Sequence, residues 1–159
     1  MRRSLLLILI LSTLICGRLV GQNPIGLPDI INYEKTTYGA GTQNWGIQQD
    51  RNGMLYFANN EGLLTFDGTF WKTYPIANKT IVRSLVIAPD HRIYVGAQGD
   101  FGYFSPAVNG KLQYHSLRDK IPDGDKVFAD IWDIVAQGKD IFFRAEKKIF
   151  KLTGSKITV

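Results

Sequence analysis

An all-β fold of repeated four-stranded units is the class that this 159-residue sequence predicts, and three observations predict it. Within 43–74, four short apolar runs (45–49, 54–58, 63–66 and 70–74) are separated by Asp50-Arg51-Asn52-Gly53, Asn59-Asn60-Glu61-Gly62 and Asp67-Gly68. The runs are too short for helices, and Asn-Gly, Glu-Gly and Asp-Gly supply residues that accept the positive φ of hairpin turns. Four strands in about 32 residues is the size of one propeller blade. Lastly, the unit repeats. Adding 38 carries Ile47 onto Leu85, Leu55-Tyr56-Phe57 onto Ile93-Tyr94-Val95 and Phe66 onto Phe104. Adding 86 carries Leu55-Tyr56-Phe57 onto Ile141-Phe142-Phe143 and Leu63-Leu64 onto Ile149-Phe150, while the first strand of the third copy needs 87, so that Trp45 meets Trp132. The expectation is a β-propeller fragment of about two and a half to three four-stranded blades, near 43–76, 82–117 and 130–159, after a signal peptide. Insertions between the second and third copies fall in 105–110 and 116–130, surface connections where extra residues cost little.

Residues 1–21 read as a signal peptide: Arg2 and Arg3, an apolar run over 5–15, then Leu19-Val20-Gly21. The run suits a signal-peptide core and is too short to span a bilayer. Cleavage after Gly21 exposes Gln22 and places the protein outside the cytoplasm, in a periplasm. The rival, lipoprotein processing at Cys16, is disfavoured by the bulky Ile15 before it. Cys16 is the sequence's one cysteine, so its removal leaves no disulfide, thiolate site or cysteine nucleophile. Residues 22–42, with Pro24, Gly26, Pro28, Gly39 and Gly41, read as an extended leader. Within it, 30–33 has the composition of a short strand that could complete a blade formed by the far end of the chain.

With 45% apolar and 12% aromatic residues, the composition is that of a packed domain. The net charge of +5 invites a nucleic-acid reading, but Arg2, Arg3 and Arg18 lie in the segment expected to be removed; without these three, the 19 basic side chains fall to 16 against 14 acidic ones. No nucleic-acid footprint remains. Lys147, Lys148, Lys151 and Lys156 alternate with apolar residues as on a strand with one wet face. A closed ring needs at least about four blades, so the chain reads as a fragment or the opening of a longer protein. Its partners are then the remaining blades and downstream domains, and open sheet faces favour self-association.

Chemistry-bearing motifs are sparse. His91, in a tight turn, and His115, near a rim strand's end, lack the spacing to a carboxylate or second histidine that a metal site needs. No catalytic residue, metal site or cofactor is expected. Asp50-Arg51-Asn52-Gly53 resembles the aspartate-box turn of sialidase-type propellers, a structural device in which Asp caps backbone N–H groups and Gly takes the positive φ. Trp45, Trp71 and Trp132 invite a reading as sugar platforms, but equivalent aromatics in successive blades usually pack between sheets, and core packing is preferred for Trp45 and Trp132. Asn78-Lys79-Thr80 fits a glycosylation sequon, and the glycines of 96–102 sit between strands with no helix N-terminus to hold phosphate.

Four stretches sharpen the reading: Asn44-Trp45-Gly46-Ile47, Asn59 through Gly68 with its Gly-Leu-Leu-Thr-Phe-Asp-Gly ending, Val82-Arg83-Ser84-Leu85, and Gly96-Ala97-Gln98-Gly99-Asp100-Phe101-Gly102. Together they resemble the two-component regulator propeller repeats, in the version that opens periplasmic sensor regions of starch-utilisation-type bacterial regulators. The likeness covers about 33–152; the third copy departs from it, with Lys147 and Lys148 in place of Glu61 and Gly62. The resemblance implies one or two propellers, a β-sandwich with three tyrosines, a membrane helix, and a helix-turn-helix or kinase output. It also implies an exported sensor, not an enzyme, for an extracellular cue such as an oligosaccharide. The alternatives are the N-terminal part of a propeller lyase or glycosidase, and a protein-interaction scaffold.

Turns between second and third strands, together with inter-blade links, gather on one face of such a ring. They bring forward Asn59, Asn60, Asn78, Lys79, Arg83, Gln98 and Asp130 as candidate ligand contacts, with amides and charges suited to hydroxyl-rich or anionic ligands. Arg83 stands where the other copies have Trp; it either touches ligand or pairs structurally with an acid such as Asp130.

Overall fold

The computed structural model describes Gly26 and residues 29–159, in two units, 1–32 and 33–159. The signal peptide, its cleavage point and Cys16 lie outside the described residues. In the first unit, Gly26 and 29–32 are irregular, with Ile30 and Ile31 exposed. The strand anticipated at 30–33 does not form. Tyr33 instead packs edge-on against Phe66 and Trp71, both centroids 5.2 Å away, and Tyr38 tilts against Trp71 at 5.7 Å. Between these tyrosines runs a single helical turn, α1 (Lys35–Tyr38), which stops at Gly39 in the left-handed conformation.

Twelve strands among the described residues form three antiparallel four-stranded sheets, each a simple meander. The first holds β1 (Asn44–Gln49), β2 (Leu55–Asn59), β3 (Gly62–Phe66) and β4 (Trp71–Tyr74). The second holds β5 (Val82–Ile87), β6 (Ile93–Ala97), β7 (Phe101–Pro106) and β8 (Leu112–Ser116). β9 (Asp133–Gln137), β10 (Asp140–Arg144), β11 (Ile149–Thr153) and β12 (Lys156–Thr158) make the third. These are propeller blades, and the third, which the sequence left incomplete, has its fourth strand.

The repeat is kept in the register. Ile47 pairs with Phe57, Leu85 with Val95 and Ile134 with Phe143, the same rung in each sheet. β1 is bulged between Asn44 and Gly46, and β5 between Val82 and Ser84, again 38 residues apart. In the first turn, Asp50 Oδ1 accepts the N–H groups of Asn52 (2.9 Å) and Met54 (3.0 Å), and Gly53 takes φ 87°. That structural role is the one expected of it. The Tyr56 hydroxyl donates to Asp50 Oδ2 at 3.2 Å, and the Tyr94 hydroxyl to Asp90 Oδ2 at 3.0 Å. The same tie is thus made from two different turn positions. Gly62 (φ 127°) is forced by more than its backbone angle, because a Cβ there would lie 2.4 Å from the Tyr74 carbonyl oxygen.

Two apolar layers hold the three sheets. Ala58, Leu63 and Ile76 meet Leu85, Val95 and Phe104 between the first pair; Tyr94 and Phe101 meet Ile134, Phe143 and Phe150 between the second. Phe101, Phe143 and Phe150 are fully buried, so truncating any of them to Ala costs about 3–5 kcal/mol. The repeat shows which face is left over. Leu63, Phe101 and Ile149 are equivalent, and their exposures are 0%, 0% and 55%. The first two are covered by the next sheet, whereas the third sheet's corresponding face is bare.

Candidate ligand-binding face

The start of each blade's innermost strand sets the site. A bulge puts one extra residue into the strand and re-aims its side chain, and Trp45 and Arg83 occupy the two bulges. Trp132, their equivalent, immediately precedes β9, its N–H bonded to the Arg144 carbonyl at 2.9 Å. The three side chains converge. The Arg83 guanidinium carbon lies 4.0 Å from the Trp45 ring centre and 5.0 Å from that of Trp132, and the indoles meet edge to face at 6.2 Å.

The packing expected for Trp45 and Trp132 is therefore corrected. Neither is in a core between sheets; they are 38% and 43% exposed. The indoles stand at the end of the inner strands, where the adjacent sheet no longer covers them, and they close over the cation from the blade between them. Trp71 is the tryptophan that packs, stacked on Phe66 at 4.3 Å.

Arg83 makes the structural pair foreseen as one alternative: its Nε donates to Asp130 Oδ1 at 3.2 Å, with side-chain exposures of 12% and 13%. Two π faces and one carboxylate balance the guanidinium where water is largely excluded. Among the described residues, its terminal N–H groups have no acceptor. Asp130 is positioned by the long link 117–132, which contains two 3-10 turns, Arg118–Lys120 and Asp123–Asp125. Arg118 ties that link down through the carbonyls of Gly99 and of Lys126 (3.1 Å), and Asp130 bridges to Gln98.

Asn60 belongs to the same group, its Oδ1 accepting the Trp45 indole N–H at 2.8 Å. Asn78, Lys79 and Gln98 stand beside it on exposed loops: Asn78 Nδ2 and Thr80 Oγ1 both donate to the Gln98 carbonyl at 3.0 Å, and Lys79 takes a left-handed φ of 52°. Asn59 does not belong. It is fully buried, donating to Gly41 O (2.7 Å) and Asn44 Oδ1 (2.8 Å) and accepting from Gly41 N (3.0 Å) and Glu61 N (2.9 Å). With every polar atom engaged it fastens the leader and offers a ligand nothing. Six of the seven anticipated residues thus line one face, and the two residues the sequence reading sent elsewhere are its aromatic walls. Their signal was present in the Trp-Arg-Trp series at equivalent positions.

His91 lies in an exposed turn and His115 stacks on Tyr103 at 5.0 Å. Among the described residues, no group of histidine, cysteine and acidic side chains is placed to hold a metal ion, and no helix is long and apolar enough to cross a membrane.

A propeller segment with a polar, aromatic-walled face is what this geometry defines. Comparison with protein-family models finds no match, and comparison with curated proteins finds none. Among solved structures, the chain is similar to the extracellular domain of what is described as the hybrid two-component system BT4673 from B. thetaiotaomicron, at 20% identity and TM-score 0.56, covering 76% of this chain and 15% of that one. A second BT4673 structure, described there as a one-component system, gives 21% identity and TM-score 0.54 over 72% of this chain and 15% of that one. The extracellular domain described for the hybrid system BT3049 of the same organism gives 18% and 0.55 over 78% and 16%. The chain spans about one seventh of the length of these domains, and what it shares with them is the propeller fold, in agreement with the repeat family it resembles.

Proposed function

We propose that this chain is a segment of an exported sensor region, which binds an extracellular oligosaccharide on the Trp45–Arg83–Trp132 face and belongs to a membrane-spanning bacterial regulator. The observation that supports it most is the stack itself: one residue from each of three consecutive blades, two indoles half open to solvent, and a pre-oriented guanidinium with free donors. Indole faces accept the C–H side of a sugar ring, while the Arg83 donors and the Asn60 and Gln98 amides suit its hydroxyls. Sensing asks for no catalytic group. The structural neighbours are extracellular domains of proteins described as signalling systems, which supports the export and relay parts of the reading.

The test is a full-length receptor carrying Trp132→Ala, Arg83→Ala or Asn60→Ala, assayed for protein level and for signalling across an oligosaccharide series. Loss of one stacking or charge-assisted contact is expected to raise the half-maximal cue concentration about tenfold or more once normalised to protein level, which Arg83→Ala also lowers by leaving Asp130 unpaired. Unaltered normalised response in all three variants moves the site off these blades.

A further inference from the structure

The opposite face carries a second groove, between the β1–β2 turn of the first blade and the β5–β6 turn of the second. It measures about 500 Å³; Ile87 and the buried Ala88 give it an apolar side, and Gln48, Asp50, Arg51 and His91 line it with polar groups. From its chemistry we propose that this groove binds a small carboxylate-bearing molecule with an apolar body, the carboxylate held by Arg51 and His91.

Two independent features lead there. One is charge bookkeeping within the groove. The acidic groups beside it are turned into their own hairpins: Asp50, which lines the groove and keeps its charge, has Oδ1 on two backbone N–H groups and Oδ2 on the Tyr56 hydroxyl, while Asp90 accepts from Arg92 N (3.1 Å) and the Tyr94 hydroxyl and faces the Arg92 guanidinium at 3.6 Å. Arg51 and His91 have no such partner among the described residues, and the side-chain amides of Gln48 and Asn52 are equally free. Unpaired donors beside apolar Ile87 and Ala88 fit an anion with a hydrophobic body better than a cation or a bare ion.

The other is conformational. His91 adopts φ 62°, a left-handed angle, at the turn position where the first blade has Gly53 (φ 87°) and the corresponding turn of the third has Gly138 (φ 60°). Histidine tolerates this region better than most residues, yet glycine is the unstrained choice. A side chain kept at a strained position, at the lip of a groove, is what a binding role produces when stability alone would select glycine.

The probe is benzoate, with benzamide as the uncharged control, titrated calorimetrically into the full chain and into Arg51→Ala, His91→Gly and Lys156→Ala. Benzoate should bind and benzamide should not; Arg51→Ala and His91→Gly should each weaken benzoate about tenfold. Lys156→Ala, an exposed cation of the third blade, should leave it unchanged, which separates the groove from nonspecific attraction by surface charge. His91→Gly without ligand should raise Tm by about 2 °C, since it removes strain. Equal binding of benzamide, full benzoate affinity in either groove variant, loss of affinity in Lys156→Ala, or a lower Tm for His91→Gly each overturns the proposal.

Discussion

Asn59 and Asn60 are adjacent, chemically identical and opposite in situation. All four hydrogen-bonding valences of Asn59 are used inside the protein, two of them on Gly41 of the leader, whereas Asn60 spends one oxygen on an exposed indole. Asn59→Ala leaves the buried Gly41 amide and carbonyl, and the part-buried Glu61 amide, without their partner, a cost of about 2–4 kcal/mol in denaturant unfolding. Asn60→Ala should cost under about 1 kcal/mol, with its effect in Trp45 emission instead. Equal losses for the two variants would contradict this division. The sequence shows both amides in one turn, and it cannot show which is buried, because that depends on residues 40–41 returning across β2 from 18 positions away. Arg83 is the reverse case. Its position in the repeat singles it out, and its fit between indoles and carboxylate only follows once three blades are curved around one axis.

Strands and turns were the most legible part of the chain, and the reason is local. Asp50, Gly53, Gly62 and Gly68 fix where hairpins turn, so β1 to β4 begin and end within a residue or two of the apolar runs. The anticipated 30–33 strand failed because nothing pairs with it, and Tyr33 gains more from an aromatic cluster. β12 was not legible because three residues with one buried side chain, Ile157, carry almost no pattern. At this scale the tyrosine-to-turn ties give a pH dependence. Burial, then the Asp50 charge and hydrogen bond, push the Tyr56 phenol from 10.0 up to about 12. A raised phenol favours its protonated form in the folded state. Its stabilisation is therefore complete below pH 10, where the unfolded phenol also keeps its proton, and disappears as pH rises toward 12. Burial also raises Tyr94 and Tyr114, the latter further. Denaturant midpoints should hold up to about pH 10 and fall steeply between 10 and 12, less steeply in Tyr56→Phe. An identical slope in that variant would show that Tyr56 is not linked to unfolding.

For the whole molecule, the 38- and 86-residue spacings predicted three like sheets packed in series, and series packing has an end. Each buried interface pairs the face around Leu63 or Phe101 with the sheet that follows. On the third sheet the same face presents Val135, Phe142 and Ile149, framed by Asp133 and Arg144, around an open groove of about 310 Å³. At the other end the leader intervenes: Tyr33 and Tyr38 cover Phe66 and Trp71 at the rim, while Ile47 near the axis stays more than half exposed. The two ends are thus unequal, one partly capped and one bare. Covering a Val or an Ile from water is worth about 1.5–3 kcal/mol each, so the bare face drives association of residues 22–159 wherever no further sheet covers it. Light scattering over a hundredfold range of concentration should show a concentration-dependent rise in mass. The double variant Val135→Asp/Ile149→Asp should remain a monomer and still unfold cooperatively, because both side chains point away from the core that the second and third sheets share. Ile47→Asp, at the partly capped end, should reduce association less. A chain that stays monomeric throughout, with a sharp unfolding transition independent of concentration, would mean that three blades are sufficient to themselves and that the bare face needs no cover.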